Sequence, residues 1–181
     1  MLRTVYTLIL GLVGAGIVHI AIIMMLPMFS ERDAWSRLAE AGELYAVVPL
    51  DAGQKGAPVV AGSVDPLFEA RACRFDLQDG LLHVGAVGSV PFWSVSIYDR
   101  GGQNIYSFND RTSSKGSLDF VVVTPLQMVE IRKDLPPEFE QSVFVEADLD
   151  EGIVVVRGFV PDASLRPTVS GYLDAITCSA G

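Results

Sequence analysis

The apolar and polar residues divide the chain into two parts, the first of which is almost entirely apolar. From Thr4 to Ser30 there is no Asp, Glu, Lys or Arg, and the run Val5–Phe29 is long and apolar. A transmembrane helix needs about 20 such residues, whereas a secretory signal has an apolar core of about 7–15 residues followed by a small-residue cleavage site. No such site follows Phe29. Residues 1–30 are therefore predicted to form a retained transmembrane signal-anchor helix whose segment Val5–Phe29 contacts the lipid bilayer.

The charges beside this span do not fix its orientation. Arg3 precedes the span, and Arg32 and Arg37 follow it. A large domain after a span is translocated largely regardless of charge. We therefore expect the N-terminus in the cytoplasm and the rest of the chain outside it.

A short polar segment after the span carries helix signals of its own. Ser30 is a suitable N-cap with Asp33 three residues later, and Gly42 is a suitable stop. The sequence predicts a separate juxtamembrane helix over residues 31–43.

Beyond residue 43 the pattern acquires a period of two, which is typical of strands. The predicted strands are Leu44–Pro49, RACRFDL, LLHVGAV, FWSVSIY, QNIYSF, LDFVVVTP, SVFVEA and IVVVRGFV, with a loop over 51–66 and a short helical or irregular crossover over Thr124–Phe139. Turn residues predict three hairpins: RACRFDL with LLHVGAV, FWSVSIY with QNIYSF, and SVFVEA with IVVVRGFV. The β-branched run LDFVVVTP suits a central strand that is buried on both faces.

The last segment, Ser164–Cys178, has apolar residues at helical spacing, with Pro167 in a position that suits a first turn. The fold is therefore predicted to be mainly β: an antiparallel sandwich or jelly-roll-like domain over residues 44–181, with an N-terminal transmembrane helix and a C-terminal helix.

Composition excludes some functions. The formal net charge is −9, and all 22 acidic residues but only 12 of the 13 basic ones follow Phe29, so the outer part carries −10. This potential repels phosphate backbones, and nucleic acid is not expected as a partner.

The two histidines, His19 and His83, do not form a metal-ligand cluster, and no metal or other cofactor is predicted. His83 is expected to face solvent or to bond to the backbone.

The chain contains two cysteines, Cys73 and Cys178. Outside the cytoplasm they could form one disulfide that ties the C-terminal segment to an early strand. The alternative is two free thiols, one in the core and one at a frayed end.

The order of several motifs resembles a known family. CRFDL, FWSVSIYDRGGQNIYSFNDRT, LDFVVVTPLQM and VFVEADLDEGIVVVRGFVPD are similar to domain-of-unknown-function family 1254, especially its short bacterial members with one membrane span. The resemblance covers residues 30–178. It implies a β-rich domain anchored in the bacterial inner membrane, often made beside a companion protein of family 1214. It implies no established reaction.

Polar residues around the FWSVSIY–QNIYSF turn form the candidate ligand- or partner-binding site, which comprises Asp99, Arg100, Asn104, Tyr106, Asn109, Asp110 and Arg111. Loops held by a rigid sheet often carry function, although turns also need Asp, Asn and Gly for their geometry. No known catalytic motif is present, and no catalytic residue is assigned. We therefore expect a membrane-tethered periplasmic domain that binds a partner protein or an envelope component. The alternative is a subunit of an envelope enzyme whose site a companion chain completes.

Overall fold

The computed structural model describes residues 2–50, 65–113 and 116–181, except for the side chains of residues 26–33. The predicted loop over 51–66 lies almost wholly outside the described residues. In chain order the elements are α1 (Leu2–Ala41), β1 (Val47–Pro49), β2 (Phe68–Asp76), β3 (Leu82–Ala86), β4 (Trp93–Asp99), β5 (Asn104–Asn109), β6 (Leu118–Val123), α2 (Pro125–Ile131), a 3₁₀ helix (Pro137–Phe139), β7 (Val143–Glu146), β8 (Glu151–Phe159), α3 (Arg166–Asp174) and β9 (Ile176–Ala180).

The described strands form two sheets, which confirms the mainly β prediction. The five-stranded sheet has the order β1-β2-β8-β4-β5, and the four-stranded sheet has the order β7-β6-β3-β9. Every pair of neighbours is antiparallel except β6 and β7. The core between the sheets includes Phe75, Leu82, Val95 and Phe120, all of which are fully buried.

Two of the three predicted hairpins are wrong. RACRFDL and LLHVGAV lie in different sheets, because β2 pairs with β8 over Phe68–Asp76 while β3 pairs with β6 and β9. SVFVEA and IVVVRGFV are also in different sheets, because β7 pairs in parallel with β6. The hairpin of FWSVSIY with QNIYSF is confirmed as β4 and β5. LDFVVVTP is confirmed as the interior strand β6.

The predicted C-terminal helix is confirmed, but it is shorter than expected. α3 ends at Asp174, and the chain continues as β9, so Cys178 lies on a strand. Pro167 occupies the first turn of α3, as its missing N–H requires. Val169 and Leu173 are fully buried, and Gly158 of β8 leaves the space that Val169 fills. The residues after α3 are extended because β9 pairs with β3.

The anchor and the juxtamembrane helix form one continuous helix, Leu2–Ala41. The prediction of a separate helix that begins at residue 31 is therefore wrong. Ser30 lies inside α1 rather than at an N-cap. The residues that follow are mostly good helix formers, and α1 ends before Gly42. Arg74 Nη2 donates to the carbonyl oxygen of Gly42 at 2.8 Å, which satisfies a backbone acceptor just beyond the end of the helix.

The last turns of α1 pack on the outer face of the five-stranded sheet. Leu38 is only 2% exposed and lies in a cluster with Val48, Ala72, Ile153 and Val155. The opposite end of α1 is different: Leu2–Met25 has a mean hydropathy of 2.5 and is long and apolar enough to cross a membrane, and none of it is buried against the domain.

Cys73 and Cys178 are joined by a disulfide, which confirms the first of the two alternatives. Cys73 lies on β2 and Cys178 on β9, so the bond connects the two sheets. Their Cα atoms are 6.7 Å apart, and the bond closes a sequence separation of 105 residues.

Candidate functional site

The β4–β5 hairpin carries all the predicted site residues. Its register pairs Val95 with Phe108 and Ile97 with Tyr106, and a bulge follows Ile97. In the turn, Asp99 Oδ1 accepts a hydrogen bond of 2.8 Å from the backbone N–H of Gln103. Asp99 therefore holds the turn together.

The structure separates the predicted site into two groups. Asp99, Arg100 and Asn104 lie at the turn end of the hairpin, whereas Asn109 is the last residue of β5, and Asp110 and Arg111 follow it. Asn104 and Asn109 are five residues apart on one strand, which corresponds to about 17 Å at roughly 3.3 Å per residue. The predicted site residues therefore lie in two groups, because the residues between the two turns form an extended strand.

The cation at the turn end already has partners. Arg100 forms an ion pair with Glu151 of β8, and its guanidinium lies 5.3 Å from the ring centroid of Trp35 on α1. Arg74 lies 5.0 Å from the centroid of the same ring. These cation–π contacts connect α1 to the sheet, so the geometry gives Arg100 a structural role.

The polar residues at the far end also form a turn. Asn109 Oδ1 accepts from the backbone N–H of Arg111 at 3.1 Å, and the Asn109 carbonyl oxygen accepts from the N–H of Thr112 at 2.9 Å. Asp110 donates its backbone N–H to the Trp93 carbonyl oxygen, while its Oδ1 is buried without a hydrogen-bond partner among the described residues. This end of the hairpin therefore retains unused hydrogen-bonding capacity.

Tyr106 lies on the exposed edge of the five-stranded sheet. It is 43% exposed, and its ring centroid is 5.9 Å from that of Phe108. Phe108 is buried, with edge contacts to Trp93 at 6.0 Å and Phe120 at 5.2 Å. The edge strand thus presents an aromatic surface that is continuous with the core.

A polar row on the outer face of the same sheet was not predicted. Arg157 on β8 donates to Ser96 Oγ at 3.1 Å and to the Tyr98 hydroxyl at 3.3 Å. Ser107 and Ser96 share a hydrogen bond of 3.1 Å, and Asn104 Nδ2 donates to Ser107 Oγ at 2.9 Å. Asn104 is the member of this row that belongs to the predicted site, and Arg157 is a single charge in the otherwise apolar strand IVVVRGFV.

The environment of Tyr98 changes its acidity. Burial acts to raise the pKa of Tyr98, but hydrogen bonds and the positive charge of Arg157 outweigh it, so the pKa lies below the usual value.

The His83 side chain is 33% exposed, on the strand face opposite the buried Leu82 and Val84, and its imidazole contacts a carboxylate rather than the backbone. His83 Nε2 lies 3.0 Å from Asp119 Oδ1, which also accepts from Ser142 Oγ at 2.8 Å. The Phe139 ring packs on the imidazole at a centroid distance of 5.2 Å. The carboxylate stands between serine and histidine here, whereas activation of a serine nucleophile needs the histidine next to the serine. The arrangement fits a structural contact between β3, β6 and the turn before β7.

Within residues 2–50, 65–113 and 116–181, no group of three or more His, Cys, Asp or Glu side chains is placed to hold a metal ion.

Comparison with known proteins shows a likeness of fold. No protein-family profile and no curated protein sequence matches the chain. The crystal structure of the VPA0106 protein from Vibrio parahaemolyticus superposes with a TM-score of 0.59 and 12% identity, over 84% of this chain and 35% of that one. An uncharacterised protein from Burkholderia cenocepacia superposes with a TM-score of 0.47 and 15% identity, over 76% of this chain and 37% of that one. This chain thus spans about a third of the length of these structures.

Proposed function

We propose that this protein is a single-pass protein of the bacterial inner membrane whose β domain lies in the periplasm and binds a partner protein. The observation that carries the proposal is the contrast between the two ends of α1. Leu2–Met25 is apolar and unburied, whereas Leu38 is packed in the domain. An exposed apolar surface of that size is unfavourable in water and favourable in a bilayer.

Because α1 is continuous, it also determines how far the β domain lies from the membrane. A helix that runs without interruption from Leu2 to Ala41 and ends in a packed cluster holds the domain close to the membrane surface. At 1.5 Å per residue, Trp35 lies only about 15 Å along the helix from Met25. A domain held in this way meets partners that share the same membrane or its surface.

The first experiment tests the tether and its orientation. A reporter active only outside the cytoplasm is fused after Gly181, and the N-terminus of the purified protein is sequenced. We expect an active reporter and a protein that retains residues 1–30. A reporter active only in the cytosol, or a mature N-terminus near Ser30, would contradict the proposal.

The partner-binding role is supported by the character of the candidate surface. The β4–β5 hairpin offers an exposed strand edge, and Tyr98 of β4 and Arg157 of β8 lie on the outer face of the same sheet. Tyrosine and arginine are enriched at the centres of protein interfaces. Through its resemblance to family 1254, we propose a companion of family 1214 as the partner to test first. The measurement is co-purification of the two full chains from detergent, with a second inner-membrane protein of similar abundance as the control. Recovery of the control and the companion in equal amounts would refute a specific association.

A further inference from the structure

The exposed edges of the two sheets differ in how well they are protected against pairing with another strand. Among the described residues, β1 has three residues and ends in Pro49, and β7 has four residues and ends in Glu146. The edge strand β9 is held by the disulfide at Cys178. β5 has six residues, Asn104–Asn109, with no charge and no proline. Short length, charge, proline and bulges protect an edge. β5 has only the bulge, which lies at its Asn104 end, so Tyr106–Asn109 keeps a regular register.

The hydrogen-bond pattern identifies which backbone groups of β5 point outward. Asp110 N–H donates to the Trp93 carbonyl oxygen at 3.2 Å. Hydrogen-bonded and non-hydrogen-bonded residues alternate in an antiparallel pair, so in the observed register Tyr106 and Phe108 bond to β4. The N–H and C=O of Ser107 therefore point away from β4, toward the open edge.

The side chains along this edge define what an added strand would meet. Toward the core, Tyr106 is 43% exposed and lies beside the buried Phe108. Ile105, which has no partner in the register with β4, is 38% exposed. On the outer face, Ser107 Oγ bonds with Ser96 Oγ. A strand placed beside β5 would bury an apolar side chain next to Tyr106 and keep a polar one next to Ser107.

We propose that β5 binds an extended segment of a partner protein by β-strand addition, with Ser107 as the central backbone donor and acceptor. The segment alternates apolar and polar residues and belongs to a partner of net positive charge, because the part of the chain after Phe29 carries −10. This mode rests on the proposed partner-binding function and specifies its chemistry.

The first test uses photo-cross-linking from the full chain in native membranes. A photoreactive amino acid replaces Ile105 on the β5 edge or, as the control, Leu126, which is 73% exposed on α2. We expect an adduct from position 105 that contains an extended segment of another protein, and none from position 126. An adduct from position 126 alone would overturn strand addition but leave partner binding standing, whereas no adduct from either position would contradict both. An adduct composed of two copies of this chain would overturn the proposed occupant.

The second test removes only the outward donor. Ser107→Pro deletes the N–H that points away from β4 and is tolerated on an edge strand, whereas Ser107→Ala removes the same hydroxyl and keeps the N–H. We expect at least a tenfold loss of the position-105 adduct in Ser107→Pro and little change in Ser107→Ala. Equal yields in the two variants would overturn the proposal.

Amide hydrogen exchange gives a result that does not depend on either variant. In the complex of the unsubstituted chains, exchange at the Ser107 amide should slow at least tenfold relative to the free protein. An unchanged rate in a complex that stays associated would show that the partner binds elsewhere.

Discussion

Replacing Leu38 by alanine tests whether the end of α1 is an integral part of the folded β domain. Leu38 is 2% exposed and packs against Val48, Ala72, Ile153 and Val155. The substitution removes three carbon atoms, which at about 0.8 kcal/mol per buried carbon corresponds to a transfer free energy of about 2.4 kcal/mol. The residual cavity adds to this cost, and measured Leu→Ala values run to about 5 kcal/mol. Because a helix lying on a sheet can move to fill part of the cavity, we expect a loss of about 2.5–4 kcal/mol.

The assay is urea unfolding of the full chain in a mild detergent, followed by tryptophan fluorescence, which reports on the buried Trp93 and on Trp35 beside the Leu38 cluster. The matched control is Leu12→Ala, the same substitution in the same helix at a position that is 73% exposed. Leu12→Ala should leave the unfolding free energy of the domain within about 0.5 kcal/mol of the unsubstituted protein. If Leu38→Ala were equally silent, α1 would be only a tether, and the argument for a domain held rigidly near the membrane would fail.

Three further predictions concern the β domain. Replacing Cys73 and Cys178 together by alanine should lower the free energy of unfolding by about 4–5 kcal/mol, because their bond closes a loop of 105 residues. Thermal melting measures the loss of stability, and a loss below about 1 kcal/mol would contradict the prediction. Gly152→Ala should lower the free energy of unfolding by about 1–3 kcal/mol, because the added Cβ would lie 2.7 Å from the Tyr98 carbonyl oxygen. Urea unfolding measures the loss, and an unchanged midpoint would refute this close approach. Arg157→Met should raise the pKa of Tyr98, because burial remains while a hydrogen bond and a positive charge are lost. Ultraviolet titration measures the shift in pKa, and no shift would show that Arg157 does not act on Tyr98.

The elements predicted correctly are those whose signals are local. The alternation of Trp93, Val95 and Ile97 with serines identifies β4 and its buried face. The turn Asp99–Gly102 connects β4 directly to β5, because Gly102 adopts a φ of +81° and Asp99 accepts the hydrogen bond that closes the turn. Neighbouring residues provide all of this information.

The two wrong hairpins show that local sequence signals do not specify which strands pair with each other. The turn at Gly80 is real, with a φ of +141°, yet it connects two sheets instead of two paired strands. β2 pairs instead with β8 along nine residues, Phe68–Asp76 with Glu151–Phe159. A hydrophobic alternation specifies which face of a strand is buried, but several strands of similar composition satisfy it equally well.

The candidate site shows the same division. The sequence identified the β4–β5 hairpin, and Tyr106 and Asn104 do lie on its exposed edge. It could not show that Arg157 reaches Ser96 from a strand about 60 residues away. Side chains from distant strands come together only through sheet pairing.

By itself, the sequence determined the long apolar segment, the strand-rich character of the rest, the β4–β5 hairpin and the existence of a helix near the C-terminus. These follow from hydrophobic periodicity and turn residues, which act over a few positions. The tertiary structure decided which strands share a sheet, that Cys73 and Cys178 meet across the two sheets, and that Leu38 joins α1 to the domain. These depend on the total apolar surface that the whole chain buries, a quantity that no short segment specifies.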